Sequence, residues 1–343
     1  MPFGQLVIGP PGSGKSTYCN GMQQFLSAIG RKTSVINLDP ANDRISYPCA
    51  LDIRDFTRLE DIMSELNLGP NGGIMYALEE VENSLDDFVN MIESLGKQDY
   101  LIFDCPGQVE LFTHHSALQQ IFKKLEKMDY RLAVIHLVDS YYITSPSQYI
   151  SILLLALRSM LQLDLPHINV LSKIDLLKNY GELPMSLDYY TEVQDLSYIF
   201  PHIEAEQKTV LGKRYAKLTE AIAEMVEDFG LVSFEVLAVE DKKSMIHLLT
   251  VIDKATGYMF GSTEIGGDTV WTEATRQGGY LGIVQDIQER WIDHKEEYDE
   301  AEEEEREELF KKAEEESRPL TEEEEWDAAL KQWEKEGGAK MKK

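Results

Sequence analysis

"FGQLVIGPPGSGKST", residues 3 to 17, decides the fold of this chain of 343 residues. Its apolar residues from Phe3 to Ile8 predict a buried strand, and a helical pattern follows Ser16. Between them "GPPGSGKS", which begins at Gly9, satisfies the pattern G-x-x-x-x-G-K-Ser/Thr in the strand-to-helix setting that this pattern requires. The stretch therefore predicts a phosphate-binding loop, and a chance glycine-rich turn is the weaker interpretation.

The residues of this loop suit a nucleotide phosphate and its metal ion. Glycines let backbone N–H groups curl around phosphate oxygens, and the following helix begins with unpaired N–H groups that point the same way. Lys15 is expected to reach the β- and γ-phosphates, and the Ser16 hydroxyl is expected to bind Mg²⁺. The predicted nucleotide-binding residues of the loop are Gly12, Ser13, Gly14, Lys15, Ser16 and Thr17.

Further along the chain, short apolar runs alternate with helical patterns. Such alternation is typical of a parallel sheet covered by helices on both faces. We therefore predict an α/β fold of three layers, a P-loop NTPase fold with a mostly parallel sheet. The runs are "FGQLVIG", "TSVINL", "YLIFD", "RLAVIHLVD", "HINVLS" and "VSFEVLA". Apolar residues spaced three and four apart also predict one amphipathic helix over residues 74 to 95, packed on the sheet or against a second chain.

The run "YLIFDCPGQ", residues 100 to 108, supplies a second part of the predicted site. An apolar strand that ends in Asp104 places a carboxylate beside the magnesium, as in other nucleotide hydrolases of this fold. The N–H of Gly107 is then expected to touch the γ-phosphate. A lone strand-terminal aspartate would be an exposed helix cap, but its position downstream of a P-loop favours the metal site.

The segment "NVLSKIDLL", residues 169 to 177, predicts the part of the site that recognises the base. In guanine-specific P-loop proteins the corresponding motif is N-K-x-D, whose aspartate accepts hydrogen bonds from guanine and whose lysine stem covers the ring. Asp175 and Lys173 fit those positions, while Ser172 stands where asparagine is usual. Adenine lacks both donors, so the loss of two buried bonds rejects it. An ordinary strand followed by a capped helix is the alternative, and the weaker signal of residues 237 to 243 adds Ala238 as a base contact.

The order of these motifs, together with "LDPAND" and "GPN", resembles the GPN-loop GTPase family over about residues 3 to 260. The resemblance implies a GTP hydrolase that acts as a molecular switch and needs Mg²⁺. It implies a dimer, formed by two identical chains or by two paralogues of the family. It further implies a role in assembling RNA polymerase, with polymerase subunits or assembly factors as partners, and a cytoplasmic protein that shuttles to the nucleus.

The same resemblance assigns roles to further polar residues. Asp39, at the end of the second predicted strand, matches the acidic residue near the magnesium and the attacking water. Gln108 and Glu110 would position that water. Asn71, in the triplet Gly69-Pro70-Asn71, would be a polar finger that is inserted in trans into the neighbouring site of the dimer, where it stabilises charge that develops on the γ-phosphate. The alternative for the triplet is a simple turn. The predicted catalytic set is Asp39, Asp104, Gln108, Glu110 and Asn71, and the predicted metal ligands are Ser16, Asp39 and Asp104.

Composition excludes several other classes of protein. A net charge of −28 argues against direct nucleic-acid binding, which needs lysine and arginine to displace phosphate counterions. The N-terminus lacks a basic start and a long apolar segment, which predicts no secretion. The most apolar stretch, "YISILLLALRSMLQL", is short for a membrane span and contains Arg158, so we expect a buried helix and no membrane contact. Cys19, Cys49 and Cys105 form no C-x-x-C pair, which favours reduced thiols in the cytosol.

These patterns predict three segments along the chain. Residues 1 to 260 form the P-loop GTPase domain, with the GPN loop at 69 to 71 and helical insertions. Residues 261 to 292 form a glycine-rich loop and a connecting helix. Residues 293 to 343 hold 21 acidic and 10 basic residues and form a tail, helical or disordered, with a short helix at 322 to 336.

Two other functions remain open at the level of sequence. One is a P-loop kinase for a nucleoside or another small molecule. Such a kinase needs an arginine-containing lid, yet Arg131 and Arg158 are the only arginines between Tyr100 and Leu183. The other is an assembly scaffold whose nucleotide turns over slowly and serves structure.

Overall fold

The computed structural model describes residues 2–96, 99–206, 210–258 and 280–301. Contacts divide the chain into two units, Met1–Ile292 and Asp293–Lys343. In the second unit the backbone of residues 295 to 301 is helical. The predicted tail helix at 322 to 336 and most of the glycine-rich loop lie outside the described residues. The predicted domain boundaries therefore stay predictions.

One seven-stranded sheet forms the centre of the first unit. Its strands are β1 (Phe3–Ile8), β2 (Thr33–Asn37), β3 (Cys49–Asp52), β4 (Tyr100–Asp104), β5 (Arg131–Asp139), β6 (His167–Ser172) and β7 (Phe234–Leu237). Their spatial order is β3-β2-β4-β1-β5-β6-β7, and every pairing is parallel. The parallel sheet confirms the predicted fold class, and six of the strands coincide with the predicted apolar runs. The edge strand β3 was not predicted.

Helices connect these strands. They are α1 (Lys15–Ala28), α2 (Leu59–Leu66), α3 (Pro70–Asn83), α4 (Leu85–Leu95), α5 (Val109–Thr113), α6 (Ala117–Lys127), α7 (Pro146–Leu163), α8 (Leu177–Tyr180), α9 (Leu187–Glu192), α10 (Phe200–Glu206), α11 (Val210–Phe229), α12 (Lys242–Thr256) and α13 (Tyr280–Gln288). Short 3₁₀ helices span Ile53–Asp55, Ser140–Thr144, Ile174–Leu176 and Leu196–Ile199, and a π-helical turn spans Glu289–Asp293.

The helices lie in layers on both faces of the sheet, because successive strand residues point to opposite sides. In β1, Val7 belongs to a buried cluster with residues of α1 and α12. Its neighbours Leu6 and Ile8 belong to a second cluster with residues of α3, α4 and α6. A third cluster surrounds the far strands β6 and β7 and includes residues of α7, α9 and α11. These clusters confirm the predicted three layers.

The apolar stretch from residue 149 to 163 lies in α7, and its many buried residues confirm the predicted buried helix. Arg158 is exposed on that helix. Within the described ranges, no helix combines the length and the apolar character that spanning a bilayer requires. All three cysteines are free thiols: Cys19 and Cys105 are buried, and Cys49 is partly exposed.

The prediction of one helix over residues 74 to 95 is wrong. The chain forms α3 and α4 there, with Ser84 between them at φ −105° and ψ 32°. The Ser84 N–H ends α3 by donating to Glu80 O (3.0 Å), and its carbonyl accepts from the N–H of Asp87 (3.1 Å) to begin α4. Apolar spacing continues through the break because both helices bury residues in the same cluster.

Candidate nucleotide-binding site

The loop after β1 has the backbone shape of a phosphate cradle. A Cβ atom on Gly9 would lie 2.2 Å from Leu137 O, which excludes any side chain. Gly12 and Gly14 adopt φ of +82° and +88°, which L side chains rarely accept. A Cβ on Gly12 would meet nothing within 4 Å, so the space there is open to a ligand. The helix α1 begins at Lys15 without a side-chain cap, which leaves its first N–H groups to bind an anion.

Lys15 lies across this loop. Its Nζ donates to Gly9 O (3.1 Å) and to Pro10 O (3.3 Å). Burial lowers the pKa of Lys15, and the charges of Asp104 and Asp39 offset part of that effect. A partly desolvated ammonium whose hydrogen bonds, within the described part of the chain, go to neutral carbonyls gains much from an anionic ligand, which fits the predicted contact with phosphate.

Asp104 ends β4 next to the loop, since Val7 of β1 pairs with it. Its Oδ2 accepts hydrogen bonds from Ser16 Oγ (2.8 Å) and from the Tyr47 hydroxyl (2.8 Å). Its Oδ1 is buried and has no partner among the described residues. Burial raises the pKa of Asp104, whereas the bonds from Tyr47 and Ser16 and the charge of Lys15 lower it.

These residues fit a magnesium ion. Mg²⁺ prefers hard oxygen ligands and is usually held by one or two carboxylates, waters and phosphate oxygens. An orphaned carboxylate oxygen beside a serine hydroxyl offers such ligands, and burying it without a partner is otherwise costly. The structure thus brings together Ser16 and Asp104, two of the three predicted metal ligands.

Asp39, the third predicted ligand, follows β2 and is partly exposed. Its Oδ1 accepts from the N–H of Ala41 (2.9 Å) and no described hydrogen bond joins it to Ser16. Burial raises its pKa, and the nearby charge of Lys15 lowers it. The Leu38 N–H donates to Asp104 O (2.8 Å), so the two predicted carboxylates follow adjoining backbone segments. Asp39 therefore lies near Ser16 and Asp104, and among the described residues no side-chain hydrogen bond joins it to either of them.

Residues 107 to 110 lie close to the phosphate loop and contact the GPN triplet. A Cβ on Gly107 would lie 2.9 Å from Lys15 Nζ, so glycine permits this close approach. Gln108 Nε2 donates to Asn71 Oδ1 (3.1 Å) within the same chain. Glu110 is exposed in the first turn of α5, and among the described residues no side-chain hydrogen bond joins it to the phosphate loop.

The sequence predicts a loop at the GPN triplet, whereas the structure has the triplet begin the helix α3. Gly69 is the N-cap of α3 at φ −75°, and Pro70 is the first residue of the helix. Asn71 is therefore already helical, and the N–H of Gly73 donates to Gly69 O (2.9 Å). Proline suits this first helical position because its missing N–H would be unpaired there anyway.

The predicted base-recognition segment is held against the phosphate loop. The buried Ser172 Oγ lies 2.7 Å from Ser13 O, to which it donates, and 3.1 Å from Val138 O. Lys173 adopts φ +58°, and its Nζ pairs with Asp139 Oδ2 (2.7 Å). Its Cε would lie 3.8 Å from a Cβ on Gly14, so the lysine stem lies beside the phosphate loop.

Asp175 and Ala238 complete the predicted base contacts. Asp175 lies in the 3₁₀ helix Ile174–Leu176 and is partly exposed. Ala238 is buried at the end of β7, where its carbonyl accepts from Ser244 Oγ (2.7 Å) and from the Asp241 N–H (3.1 Å). Both segments follow neighbouring strands, since Ser172 pairs with Leu237.

Two residues of this region were missed at the level of sequence. Asp139 ends β5 and anchors Lys173, and the rule that parallel strand ends meet at one edge could have identified it. Tyr47 belongs to no motif, so the sequence carried no signal for its bond to Asp104. A phosphate loop, a buried carboxylate at the end of the neighbouring strand and a Ser-Lys-x-Asp segment together define a P-loop nucleotide-binding protein.

Comparisons with known proteins place the chain more narrowly. Residues 7 to 258 match the sequence profile of a family described as "Conserved hypothetical ATP binding protein". The protein named GPN-loop GTPase 2 of Saccharomyces cerevisiae is 64% identical over 98% of this chain and 99% of its own length. GPN-loop GTPase 2 of Schizosaccharomyces pombe is 57% identical over 87% of this chain and 94% of its length. The chain belongs to the GPN-loop GTPase family.

A solved structure agrees with this fold. The crystal structure of a GTPase in apo form from Pyrococcus abyssi superposes with a TM-score of 0.59. The match covers 75% of this chain and 98% of that one at 23% identity, so it supports the fold alone.

Proposed function

We propose that this chain binds GTP together with Mg²⁺ and hydrolyses the bond between its β- and γ-phosphates. The observation that carries the proposal is the 2.7 Å bond from Ser172 to Ser13 O, which holds the guanine-recognition segment against the phosphate loop. The names of the closely similar yeast proteins support the same activity.

The phosphate side would work as follows. The open cradle at Gly12 and the N-terminus of α1 bind the phosphate oxygens, and Lys15 exchanges its carbonyl partners for the β- and γ-phosphates. Ser16 and Asp104 would hold the metal, which would supply charge neutralisation when bound. Gln108 and Asp39 lie beside this region, and their proposed role is to orient the attacking water.

The base side would select guanine. Asp175 accepts from the two guanine donors, while the Asp139 carboxylate fixes Lys173 so that its stem lies along the ring. Because adenine presents neither donor, it would form neither of these hydrogen bonds with Asp175.

The direct test is a titration with GTP and ATP, each with Mg²⁺, followed by a single-turnover hydrolysis assay. We expect GTP to bind more tightly than ATP and to be hydrolysed. The Asp175→Asn variant should weaken GTP binding by about 2–4 kcal/mol, the cost of mispaired buried polar groups. Equal affinity for GTP in that variant would refute the base assignment, and slow turnover with tight binding would favour a nucleotide-stabilised scaffold.

We further propose a dimer in which Asn71 acts in trans, as the family resemblance implies. Asn71 is exposed, as a residue that reaches a neighbouring chain must be, and action in trans requires it to leave the chain's own Gln108, which donates to it here. Asn71→Ala should slow hydrolysis while sparing GTP binding. Mixing it with a Lys15→Ala chain should restore part of the activity, and a mixture that dimerises but stays inactive contradicts action in trans.

The proposed cellular role rests on the family resemblance alone. It is a part in RNA polymerase assembly, in the cytoplasm with shuttling to the nucleus. Co-purification of polymerase subunits with the tagged chain, compared with the Lys15→Ala variant, would test it. Loss of the subunits from the variant is expected if the nucleotide controls the interaction.

A further inference from the structure

We propose that Tyr47 is a positioning residue for the metal site, whose hydroxyl fixes the Asp104 carboxylate so that Oδ1 is left for Mg²⁺ or a water bound to it. This inference rests on the proposed function and deepens it. It concerns a residue outside the phosphate loop, the strand-end aspartate and the base-recognition segment.

The contacts of Asp104 are strongly asymmetric. Oδ2 accepts two hydrogen bonds of 2.8 Å, one from Ser16 Oγ and one from the Tyr47 hydroxyl. Oδ1 is buried and has no partner within the described part of the chain. Two donors on one oxygen fix the carboxylate plane, and they leave the other oxygen as the stronger remaining acceptor. The orphaned oxygen is therefore the atom that a metal or its water would use.

Tyr47 is itself held firmly. Its side chain is 5% exposed and belongs to the buried cluster that includes Tyr18 and Val35. A buried phenol needs a partner, and a carboxylate accepts from it in a strong charge-assisted bond. Because the ring is packed in the core, the hydroxyl is a fixed donor rather than a mobile one.

The segment that carries Tyr47 reaches the second metal ligand as well. Asn42 Nδ2 donates to Ser16 Oγ at 3.4 Å, so residues of one segment contact both Ser16 and Asp104. That segment starts directly after Asp39. The residues between β2 and β3 thus support the metal site from one side, and Tyr47 provides the shorter and more buried of the two contacts.

A purely structural role is the competing explanation, in which Tyr47 only satisfies a buried carboxylate. The two roles differ in what they predict. A structural bond supports the fold whether or not metal is present. A positioning bond affects the magnesium dependence of nucleotide binding and leaves metal-free binding unchanged.

Tyr47→Phe tests this, since it removes the hydroxyl and keeps the ring. Binding of a fluorescent GTP analogue is measured against Mg²⁺ concentration and again with EDTA. We expect the Mg²⁺ concentration for half-maximal binding to rise about tenfold, as expected for the loss of a hydrogen bond to a charged group. Affinity in EDTA should stay within about twofold of the parent chain.

Tyr149→Phe is the matched control. Its buried hydroxyl donates to Tyr190 O (3.0 Å) in a different cluster. Loss of the Tyr149 hydroxyl should lower the melting temperature and leave the Mg²⁺ concentration for half-maximal binding unchanged. If Tyr47→Phe does not fold, Tyr47→Met serves as a second buried variant that lacks the donor.

An unchanged Mg²⁺ midpoint in a folded Tyr47 variant would overturn the proposal, and so would an equal loss of affinity with and without the metal. Either result would leave the proposed function intact if the parent chain binds GTP in a magnesium-dependent way. Absence of GTP binding by the parent chain would instead overturn the proposed function, and the role of Tyr47 with it.

Discussion

Replacing Ser172 with alanine isolates the contact between the two halves of the proposed nucleotide site. The phosphate loop follows β1 and the base-recognition segment follows β6, with β5 between them. Ser172 Oγ links the two segments by donating to Ser13 O. Ser172→Ala deletes this bond together with the longer contact of the same hydroxyl to Val138 O (3.1 Å), and it changes little else, because the side chain is small and buried.

The expected loss of stability follows from the contact. A neutral hydrogen bond contributes about 1 kcal/mol net, and a buried acceptor left without its donor costs about 1–3 kcal/mol. Since Ser172 is only 3% exposed, water cannot readily replace the hydroxyl. We therefore expect the free energy of unfolding to fall by about 1–2 kcal/mol. If the bond also pre-organises the site, GTP affinity should fall by up to about tenfold, since 1.4 kcal/mol is a factor of ten.

Urea denaturation and GTP titration measure these two quantities separately. Ser159→Ala is a suitable control, because it removes a buried serine hydroxyl that donates to Ala156 O (3.0 Å) in α7 and lies 3.3 Å from His167 Nε2, at the opposite end of β6 from Ser172. The control should lose stability and keep its GTP affinity. If Ser172→Ala behaves like the control, the bond supports only the fold and the reasoning is refuted.

Three further outcomes follow from other contacts. Gly107→Ala should weaken GTP binding about tenfold, because its Cβ would lie 3.2 Å from Pro11 Cα and 3.3 Å from Pro11 N, backbone atoms of the phosphate loop, and overpacking costs about 1–3 kcal/mol. Unchanged affinity in a titration would contradict this. Burial lowers the pKa of His136 to about 4. Between pH 6.5 and 4 the unfolded chain is therefore protonated at this residue while the folded chain is not, so the free energy of unfolding should fall by about 3 kcal/mol as the pH drops through that range. Denaturation across that window should show a shallower loss for His136→Asn. Arg31 donates two hydrogen bonds of 2.9 Å, one to each carboxylate oxygen of the buried Asp253. Arg31→Met removes both bonds and should lower the free energy of unfolding, measured in urea, by about 3–5 kcal/mol.

Strong local patterns made the sheet predictable. Six strands are apolar runs that need burial on both faces, and the motif from Gly9 to Ser16 specifies both its strand and its helix. The sequence does not predict the strand Cys49–Asp52, because this strand has four residues, lies at the sheet edge and has only Leu51 buried. Nothing in such a short half-exposed segment distinguishes a strand from a loop.

The break at Ser84 escaped for a different reason. Hydrophobic periodicity reports which face of a helix is buried, and α3 and α4 bury residues in the same cluster. Val81 and Leu85 keep a helical spacing across the junction, so the spacing of apolar residues does not reveal the break. Turn residues also misled the prediction at the GPN triplet, where proline and glycine begin a helix.

The site was predictable where a motif carried it. Lys15, Ser16 and Asp104 meet in the structure because strand ends of a parallel sheet share one edge. The contacts that orient these groups come from residues distant in sequence, such as Tyr47 and Asp139. A hydroxyl or a carboxylate 34 to 57 positions away has no signal of its own, since its partner is decided by the fold.

The helical start of the GPN triplet has a kinetic consequence for Asn71. A Cβ on Gly73 would lie 2.7 Å from Leu59 Cδ1, so the first turn of α3 packs tightly on α2. Rotation of its side chain can break the exposed bond to Gln108, but the Asn71 backbone moves away from its own site only when the end of a packed helix moves. Collective displacements of packed helices take microseconds to milliseconds, whereas exposed loops relax in nanoseconds to microseconds. Exchange of Asn71 between its own chain and a neighbour would then be a slow step, visible to relaxation-dispersion NMR of the Asn71 and Gln108 side-chain amides.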